Sequence, residues 1–127
     1  MTKILAKDVM LKKIHVANPN DKIAYARLKM FRHNVGALPV VEADGTLVGI
    51  ITLRDIDFTG TDVSVLPVKD LMTTDLLVGK EDTTLGEISD IMLKTGIQRV
   101  PIIDDKRKLI GLVTQTVVIR ATRSLLD

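Results

Sequence analysis

Thr52 and Asp55 are the two residues whose types and spacing could bind a ligand. They follow Ile50 and Ile51, whose β-branched side chains predict the end of a buried strand, and a helix is expected to begin after them. A threonine three residues before an acidic residue is typical of a helix N-terminus, where side-chain oxygens accept hydrogen bonds from free backbone N–H groups. A loop that opens onto such N–H groups can also hold the phosphates or ribose of a nucleotide. The pair is therefore either a helix cap or part of a ligand site.

The composition argues against an enzyme and against a metal site. The chain has 127 residues, enough for one domain with its own core, and it contains no cysteine. Disulfides, thiol nucleophiles and cysteine-based zinc sites are thereby excluded. His15 and His33 are the two histidines, and neither has a carboxylate at metal-ligand spacing. No phosphate-binding glycine loop or serine-nucleophile motif is present either.

Charge and hydropathy predict a cytoplasmic protein without nucleic-acid or membrane partners. The 18 basic and 16 acidic residues give a net charge of +2, and aromatic residues make up 2% of the chain. This balance does not favour a nucleic-acid surface, and a base-stacking platform is not expected. The longest apolar run, 35–41, is far shorter than the ~18 residues that a membrane span needs. The first residues lack the apolar stretch of a signal peptide.

The elements that position Thr52 and Asp55 occur twice. A shift of 62 residues aligns 7–56 with 69–118 without a gap, with nine identities in 50 positions. Such a repeat fixes the domain plan: repeat one at about 7–58, repeat two at about 69–126, and a linker at 59–68.

Each repeat predicts a β-α-β-β-α unit. The first strands are expected at 14–16 and 76–78, the hairpins at 38–42 with 46–52 and at 100–104 with 109–114, and the last helices at 53–58 and 115–126. The middle helices should each bury one apolar face, and a capping box is predicted at Thr84 and Glu87. Those faces are Ile23, Ala26, Met30 and Phe31 in repeat one, and Leu85, Ile88, Met92 and Leu93 in repeat two.

The fold class that follows is α+β, with two units related by a pseudo-twofold axis, their sheets packed together and their helices outside. The helix faces that carry Met30, Phe31, Met92 and Leu93 are more apolar than a small monomer needs. A homodimer is therefore predicted.

The order of motifs is similar to the cystathionine β-synthase (CBS) domain family. The motifs are Asp8-Val9-Met10, Val35–Val41 and Gly49–Asp55, and they return at Asp70-Leu71-Met72, Ile97–Ile103 and Gly111–Thr114. Two such repeats resemble a CBS pair, or Bateman module, over nearly the whole chain.

The resemblance implies a regulatory module that binds AMP, ADP, ATP or S-adenosylmethionine in clefts between the repeats. It implies that Thr52 and Asp55 hold the ribose, because a carboxylate can accept hydrogen bonds from both hydroxyls. Arg99 matches the phosphate-binding position, and Arg54 is either a second phosphate ligand or a solvated arginine. The base positions implied by the family are Ile14, His15, Val16, Ala37 and Leu38, and His15 could equally be an edge residue.

The second copy of the site is predicted to be degenerate. Thr114 matches Thr52, but Val117 stands where the first repeat has Asp55, and valine cannot accept a hydrogen bond. One cleft is thus expected to bind the adenosyl ligand, which acts as an effector rather than a resident cofactor. The module would act on its dimer or on an unknown regulated protein. The alternative is a ligand-free scaffold that binds other proteins through its helix faces.

Overall fold

The computed structural model describes residues 3–59 and 62–126, so positions 60 and 61 of the predicted linker lie outside the described residues. The helices are α1 (Ala6–Val9), α2 (Ile23–His33), α3 (Leu53–Asp57), α4 (Leu85–Thr95) and α5 (Gln115–Thr122). The strands are β1 (Ala37–Val41), β2 (Leu47–Thr52), β3 (Arg99–Ile103) and β4 (Leu109–Thr114). Short 3₁₀ turns span Val68–Asp70 and Arg123–Leu125.

The chain forms two compact units, and each unit contains the leading segment of the other sequence repeat. The first-repeat unit runs from His15 to Leu76, and the second-repeat unit joins the segment ending at Ile14 to the segment beginning at Leu77. Helix α1 therefore lies in the second-repeat unit, where Ala6 is fully buried in the core cluster. The units do not coincide with the repeats at 7–58 and 69–126, because those boundaries describe similarity along the chain rather than packing.

Each unit contains one two-stranded antiparallel sheet. Strand β1 is buried along its whole length, whereas every second residue of β2 is buried. This period of two is that of a strand with one face on the core. The pairing sets Ala37 opposite Thr52 in the first-repeat unit. It sets Arg99 opposite Thr114 in the second-repeat unit, in the same relative register.

The strand predicted at 14–16 was wrong. A single parallel bridge between Ala17 and Val40 takes its place. The amide of Ala17 donates to the Pro39 carbonyl and the amide of Val41 donates to the Ala17 carbonyl, each at 2.9 Å. Extending this parallel ladder towards His15 would require an N–H group at Pro39, and proline has none. The strand therefore stops after one bridge.

The strand predicted at 76–78 was wrong for the same reason. Gly79 bridges Ile102, with hydrogen bonds to the Pro101 carbonyl and from the Ile103 amide, both at 2.9 Å. Pro101 blocks the next bond of the ladder. Pro39 and Pro101 thus limit the parallel pairing to a single bridge in each unit.

Helices α2 and α4 bury equivalent faces. In each helix, one of the four residues predicted to be buried is exposed. Phe31 is 85% exposed and Leu93 is 83% exposed, because the ~100° turn per residue places them beside the buried stripe rather than on it. The buried residues are Ile23, Ala26 and Met30 in α2, and Leu85, Ile88 and Met92 in α4.

The α+β class predicted from the sequence is confirmed. Both hairpins lie within one residue of their predicted ends, and α3 covers 53–57. Helix α5 ends at Thr122, four residues before the predicted end, and a 3₁₀ turn follows it. Within residues 3–59 and 62–126 no helix is long and apolar enough to cross a membrane.

Candidate functional site

Thr52 and Asp55 form a reciprocal cap at the start of α3. The Asp55 amide donates to Thr52 Oγ1 at 3.0 Å, and the Thr52 amide donates to Asp55 Oδ2 at 3.0 Å. Two backbone donors at the helix start are thereby satisfied, as in a capping box. The structure therefore confirms that this pair caps a helix. A ligand could bind only to those atoms of the two side chains that the cap does not use.

The cap leaves one carboxylate oxygen and one hydroxyl proton of this pair available. Within the described part of the chain, the hydrogen bonds of the Asp55 carboxylate go through Oδ2, so Oδ1 remains able to accept. The hydroxyl of Thr52 accepts from the Asp55 amide and still carries a proton to donate. Both side chains are partly exposed. A vicinal diol could bind here without breaking the cap.

Strand β1 brings Ala37 and Leu38 beside this junction. Ala37 lies opposite Thr52 in the sheet, and the Leu53 amide donates to the Gly36 carbonyl at 2.9 Å. Ala37 is 6% exposed and Leu38 is fully buried. The backbone before Pro39 is thus fixed next to the diol-binding groups, but the Leu38 side chain points into the core.

His15 and Val16 are held against α2. The ammonium of Lys29 donates to the Val16 carbonyl at 2.6 Å, and the His15 ring stacks on the ring of His33. His15 is exposed, whereas Ile14 and Val16 are partly buried. Ile14 belongs to the second-repeat unit, and His15 begins the first-repeat unit.

The roles of Lys29 and His33 in this contact were missed from the sequence. Neither residue stands out in the motif pattern, because α2 carries four other basic or aromatic residues on its surface. The spacing of Lys29 and His33, one helical turn apart, is the one signal that they share a face.

Arg99 is a half-buried cation at the start of β3. Loss of hydration on burial lowers the pKa of its guanidinium below the ordinary value, yet arginine stays charged at neutral pH. No carboxylate among residues 3–59 and 62–126 lies within ion-pair distance of it. A charge that has lost water without gaining a counterion favours an anionic ligand.

Arg54 is placed differently from Arg99. Its side chain is exposed, and the guanidinium lies over the Phe58 ring, 5.1 Å from the centroid. Such a cation–π contact holds the group at the surface of α3. A phosphate role for Arg54 stays a prediction.

The second copy of the junction lacks the carboxylate. Thr114 caps α5 by accepting a hydrogen bond from the Val117 amide at 3.2 Å, and the Val117 side chain is 6% exposed. The helix thus begins without an acidic residue at its third position. A carboxylate is not required for capping in this fold, which makes Asp55 more than the architecture needs.

No group of three or more histidine, aspartate or glutamate side chains lies close enough to hold an ion in this part of the chain. His15 and His33 face each other ring to ring, a geometry that differs from two ligands converging on one ion.

Fold and site together define a tandem α+β repeat protein in which each hairpin ends at a helix-capping threonine. The model of the CBS domain family matches residues 6–57 and 68–124. The chain therefore belongs to the CBS domain family, and the resemblance found in its motifs is confirmed.

Known proteins with similar sequences include an enzyme of which this chain matches only a part. Inosine-5'-monophosphate dehydrogenase from Methanocaldococcus jannaschii is 36% identical over 109 residues. The match covers 86% of this chain but 22% of that protein. The chain thus spans about a fifth of the enzyme.

Two solved structures of CBS proteins match nearly the whole chain. CBSX2, known from Arabidopsis thaliana, was solved in complex with AMP; it is 28% identical, with a TM-score of 0.86 and coverage of 98% of this chain and 99% of that one. The CBS domain pair of protein MJ0100 was solved with 5'-methylthioadenosine and S-adenosyl-L-methionine. It is 31% identical, with the same TM-score and the same coverage.

Proposed function

We propose that this chain is a regulatory module that binds an adenosine-containing ligand of the AMP, ADP, ATP or S-adenosylmethionine type. The ribose hydroxyls would bind Asp55 Oδ1 and the Thr52 hydroxyl, and the base would contact the backbone of 14–16 and 36–38. The observation that carries the proposal is the Asp55 carboxylate, which keeps an unengaged oxygen at a position where Val117 suffices for the cap of α5.

The phosphate side of the proposal depends on Arg99. Its guanidinium is half-buried, and no carboxylate among the described residues pairs with it. The ligands of similar proteins support the same chemistry, since one was solved with AMP and another with S-adenosylmethionine. The ligand would act as an effector, and the module would pass its occupancy to a homodimer or to a regulated protein rather than catalyse a reaction. This requires different affinities in the two states of the module.

Thermal unfolding in the presence of AMP, ADP, ATP and S-adenosylmethionine tests the proposal. A ligand at ~100 times its Kd should add about 2.7 kcal/mol to the free energy of unfolding. Asp55→Asn should abolish the added stability. If none of the four compounds raises the midpoint, or if Asp55→Asn keeps the full effect, the proposed site is wrong.

Glu87→Gln is the matched control, because Thr84 and Glu87 form the same reciprocal cap at the start of α4. The Thr84 amide donates to Glu87 Oε2 at 3.0 Å, and the Glu87 amide donates to Thr84 Oγ1 at 3.1 Å. Both substitutions weaken a cap, so both should lower the baseline stability by a similar amount. Only the Asp55 variant should lose the ligand effect.

A ligand-free scaffold is the second candidate, favoured by the exposed side chains of Phe31 and Phe58. It predicts no effect of any adenosyl compound on stability. It further predicts that Phe31→Glu abolishes binding to a protein partner while Asp55→Asn leaves that binding intact.

A further inference from the structure

The turn between β3 and β4 carries three consecutive cations. They are Lys106, Arg107 and Lys108, directly before β4. The side chains of Lys106 and Arg107 are exposed, and within the part of the chain that the structure describes neither forms an ion pair. Their charges are therefore open to an outside partner.

The leading segment brings two further cations towards this turn. The Leu11 amide donates to the Leu112 carbonyl at 2.9 Å, and the Leu112 amide donates back at 3.0 Å. Because the pair is antiparallel, the exposed Lys12 and Lys13 follow Leu11 in the direction of the turn. At ~3.4 Å per residue they lie on the order of 10 Å from Lys108, about one Debye length. The five residues form the basic tip, which consists of Lys12, Lys13, Lys106, Arg107 and Lys108.

The first repeat shows that the fold does not need these cations. At the equivalent positions, 62 residues away, it has no basic residue. Those positions hold Asp44, Gly45, Thr46, Thr74 and Asp75. The basic tip contains five of the 18 basic residues of the chain, and the remaining 13 are outnumbered by the 16 acidic ones. Positive charge is thus concentrated at one end of the second-repeat unit.

Arg107 occupies a backbone conformation that favours glycine. Its φ is +63°, and the equivalent Gly45 has a φ of +91°. The two turns close with the same hydrogen bond, from the Gly45 amide to the Glu42 carbonyl at 2.9 Å and from the Arg107 amide to the Asp104 carbonyl at 3.0 Å. A side chain in this left-handed region is unfavourable, whereas glycine adopts it readily. The needs of the turn therefore do not explain the arginine.

Carboxylates on one side of the basic tip limit which anion it can bind. Lys80 donates to Asp105 Oδ1 at 3.1 Å, and the exposed Glu81 and Asp82 lie with them around a cavity of about 330 Å³. A nucleic-acid backbone or an anionic membrane that extends past the tip would meet these carboxylates and be repelled. A short protein segment can end at the tip. The phenylalanines and the tyrosine all lie in the first-repeat unit, so no aromatic ring at this end could stack on a base.

We propose that the basic tip binds a segment rich in aspartate and glutamate on the protein that this module regulates. The inference rests on the regulated protein included in the proposed function, but not on the adenosyl ligand. Carboxylates of the segment would pair with the lysine ammonium groups and with the planar guanidinium of Arg107. Because these pairs are exposed, binding should weaken as the salt concentration rises.

Fluorescence anisotropy with a labelled oligoglutamate peptide, at low and at physiological salt, tests the proposal. Arg107→Glu should raise the Kd by at least about fivefold. Lys94→Glu is the matched control, because it makes the same charge change at the end of α4, before β3 and away from the turn. It should change the Kd by less than about twofold. Absence of peptide binding at low salt, or equal effects of the two variants, overturns the proposal.

Arg107→Gly separates a role in binding from a role in the turn. Glycine suits the backbone at this position, so the midpoint of thermal unfolding should stay the same or rise while the Kd for the peptide rises. Loss of both stability and binding would assign the arginine to the structure of the turn and overturn the proposal.

The other possible occupants of the basic tip are tested with the same variants. Tighter binding of oligothymidylate, or of vesicles that contain phosphatidylserine, than of the peptide would overturn the choice of an acidic protein segment. Sedimentation velocity of the chain alone at low salt tests a second copy, and self-association that Arg107→Glu abolishes would overturn it too. Peptide binding is measured without an adenosyl compound, so failure here is distinguishable from failure of the proposed function.

Discussion

The imidazole rings of His15 and His33 are stacked, with their centroids 3.6 Å apart and their planes 13° apart. This contact joins the segment formed by His15 and Val16 to His33, the last residue of α2. The hydrogen bond from Lys29 to the Val16 carbonyl ties the same segment to the same helix. Both contacts lie where the base of the proposed ligand would bind, so we expect the protonation of His33 to affect that segment.

Stability should fall as the pH is lowered through the range in which His33 titrates. Loss of hydration, and then the positive charges of His15, Arg32 and Lys29, lower the pKa of His33 below its ordinary value of 6.5. The unfolded chain therefore binds a proton more readily, and the stability of the neutral stack is present above pH 6.5 and lost as the pH falls through the lowered pKa. Because His33 is exposed, solvent screening keeps the effect small.

Urea unfolding from pH 7.5 down to 5.5, above the range in which most carboxylates titrate, measures this dependence. His33→Asn should flatten the curve, and His15→Asn should reduce its slope. An unchanged slope in His33→Asn would assign the pH dependence to other groups.

Removing the hydroxyl at position 52 should cost about 1 kcal/mol of stability, which is the usual value for a capping threonine. Thr52→Ala leaves the Asp55 amide without its partner at 3.0 Å, whereas Thr52→Ser keeps the oxygen. Urea unfolding at pH 7.5 gives the difference. Equal stabilities for the alanine and serine variants would mean that the cap contributes nothing.

Gly49 and Gly111 lie where a methionine side chain packs directly against the strand, so a larger residue does not fit at either position. A Cβ atom at Gly49 would lie 2.7 Å from the sulfur of Met72 and 3.0 Å from the Thr73 carbonyl oxygen, and one at Gly111 would overlap the side chain of Met10. Both alanine substitutions should destabilise by about 1–3 kcal/mol. Met10→Ala should relieve much of the cost of Gly111→Ala, whereas Met72→Ala should relieve less at Gly49, because a backbone oxygen cannot move aside.

Gly86→Ala is the matched control for these glycines. The nearest atom to a Cβ there is Thr84 Oγ1 at 3.9 Å, and the residue lies within α4. Alanine should stabilise the helix by roughly 0.4–1 kcal/mol. Thermal unfolding of the three variants gives the order, and a destabilised Gly86→Ala would show that the predicted clashes are not the cause at the other two sites.

Because each leading segment packs with the other repeat, a proline at position 11 should affect hydrogen exchange in the second-repeat unit alone. The Leu11 amide donates to the Leu112 carbonyl at 2.9 Å, as the Thr73 amide does to the Ile50 carbonyl. Leu11→Pro should speed hydrogen exchange at the Leu112 amide by about fivefold without changing that of Ile50, since one hydrogen bond is worth ~1 kcal/mol. Thr73→Pro should do the reverse. Equal changes at both amides would contradict the packing of each leading segment with the other repeat.

Hairpins, helices and caps could be predicted because their signals are local. The box at Thr84 and Glu87 follows from two residues three apart, and it is confirmed. The prediction of a strand at 14–16 was wrong because the next hydrogen bond of the ladder would need an N–H group at Pro39, which lies far along the chain. Phe31 was placed on the buried face because apolar residues next to a stripe look alike in sequence, and only packing separates them.

The site was harder to predict than the fold. The motif order predicts a ligand role for Thr52 and Asp55, which stays a prediction, and the structure adds that one carboxylate oxygen of Asp55 is already engaged in the cap. That Ile14 lies in one unit and His15 in the other could not be read from the sequence, since similarity between repeats does not say which repeat a segment packs with.

The discontinuity of the second-repeat unit affects the order in which the protein forms during synthesis. The first-repeat unit is continuous from His15 to Leu76, so it can close soon after that stretch leaves the ribosome. The segment ending at Ile14 must wait for its partners in the second repeat, which are Thr84 for Leu5 and Leu112 for Leu11, and closing such long loops is slow. The leading segment is therefore expected to stay unpaired, ahead of the first-repeat unit, until the chain has been made as far as Leu112.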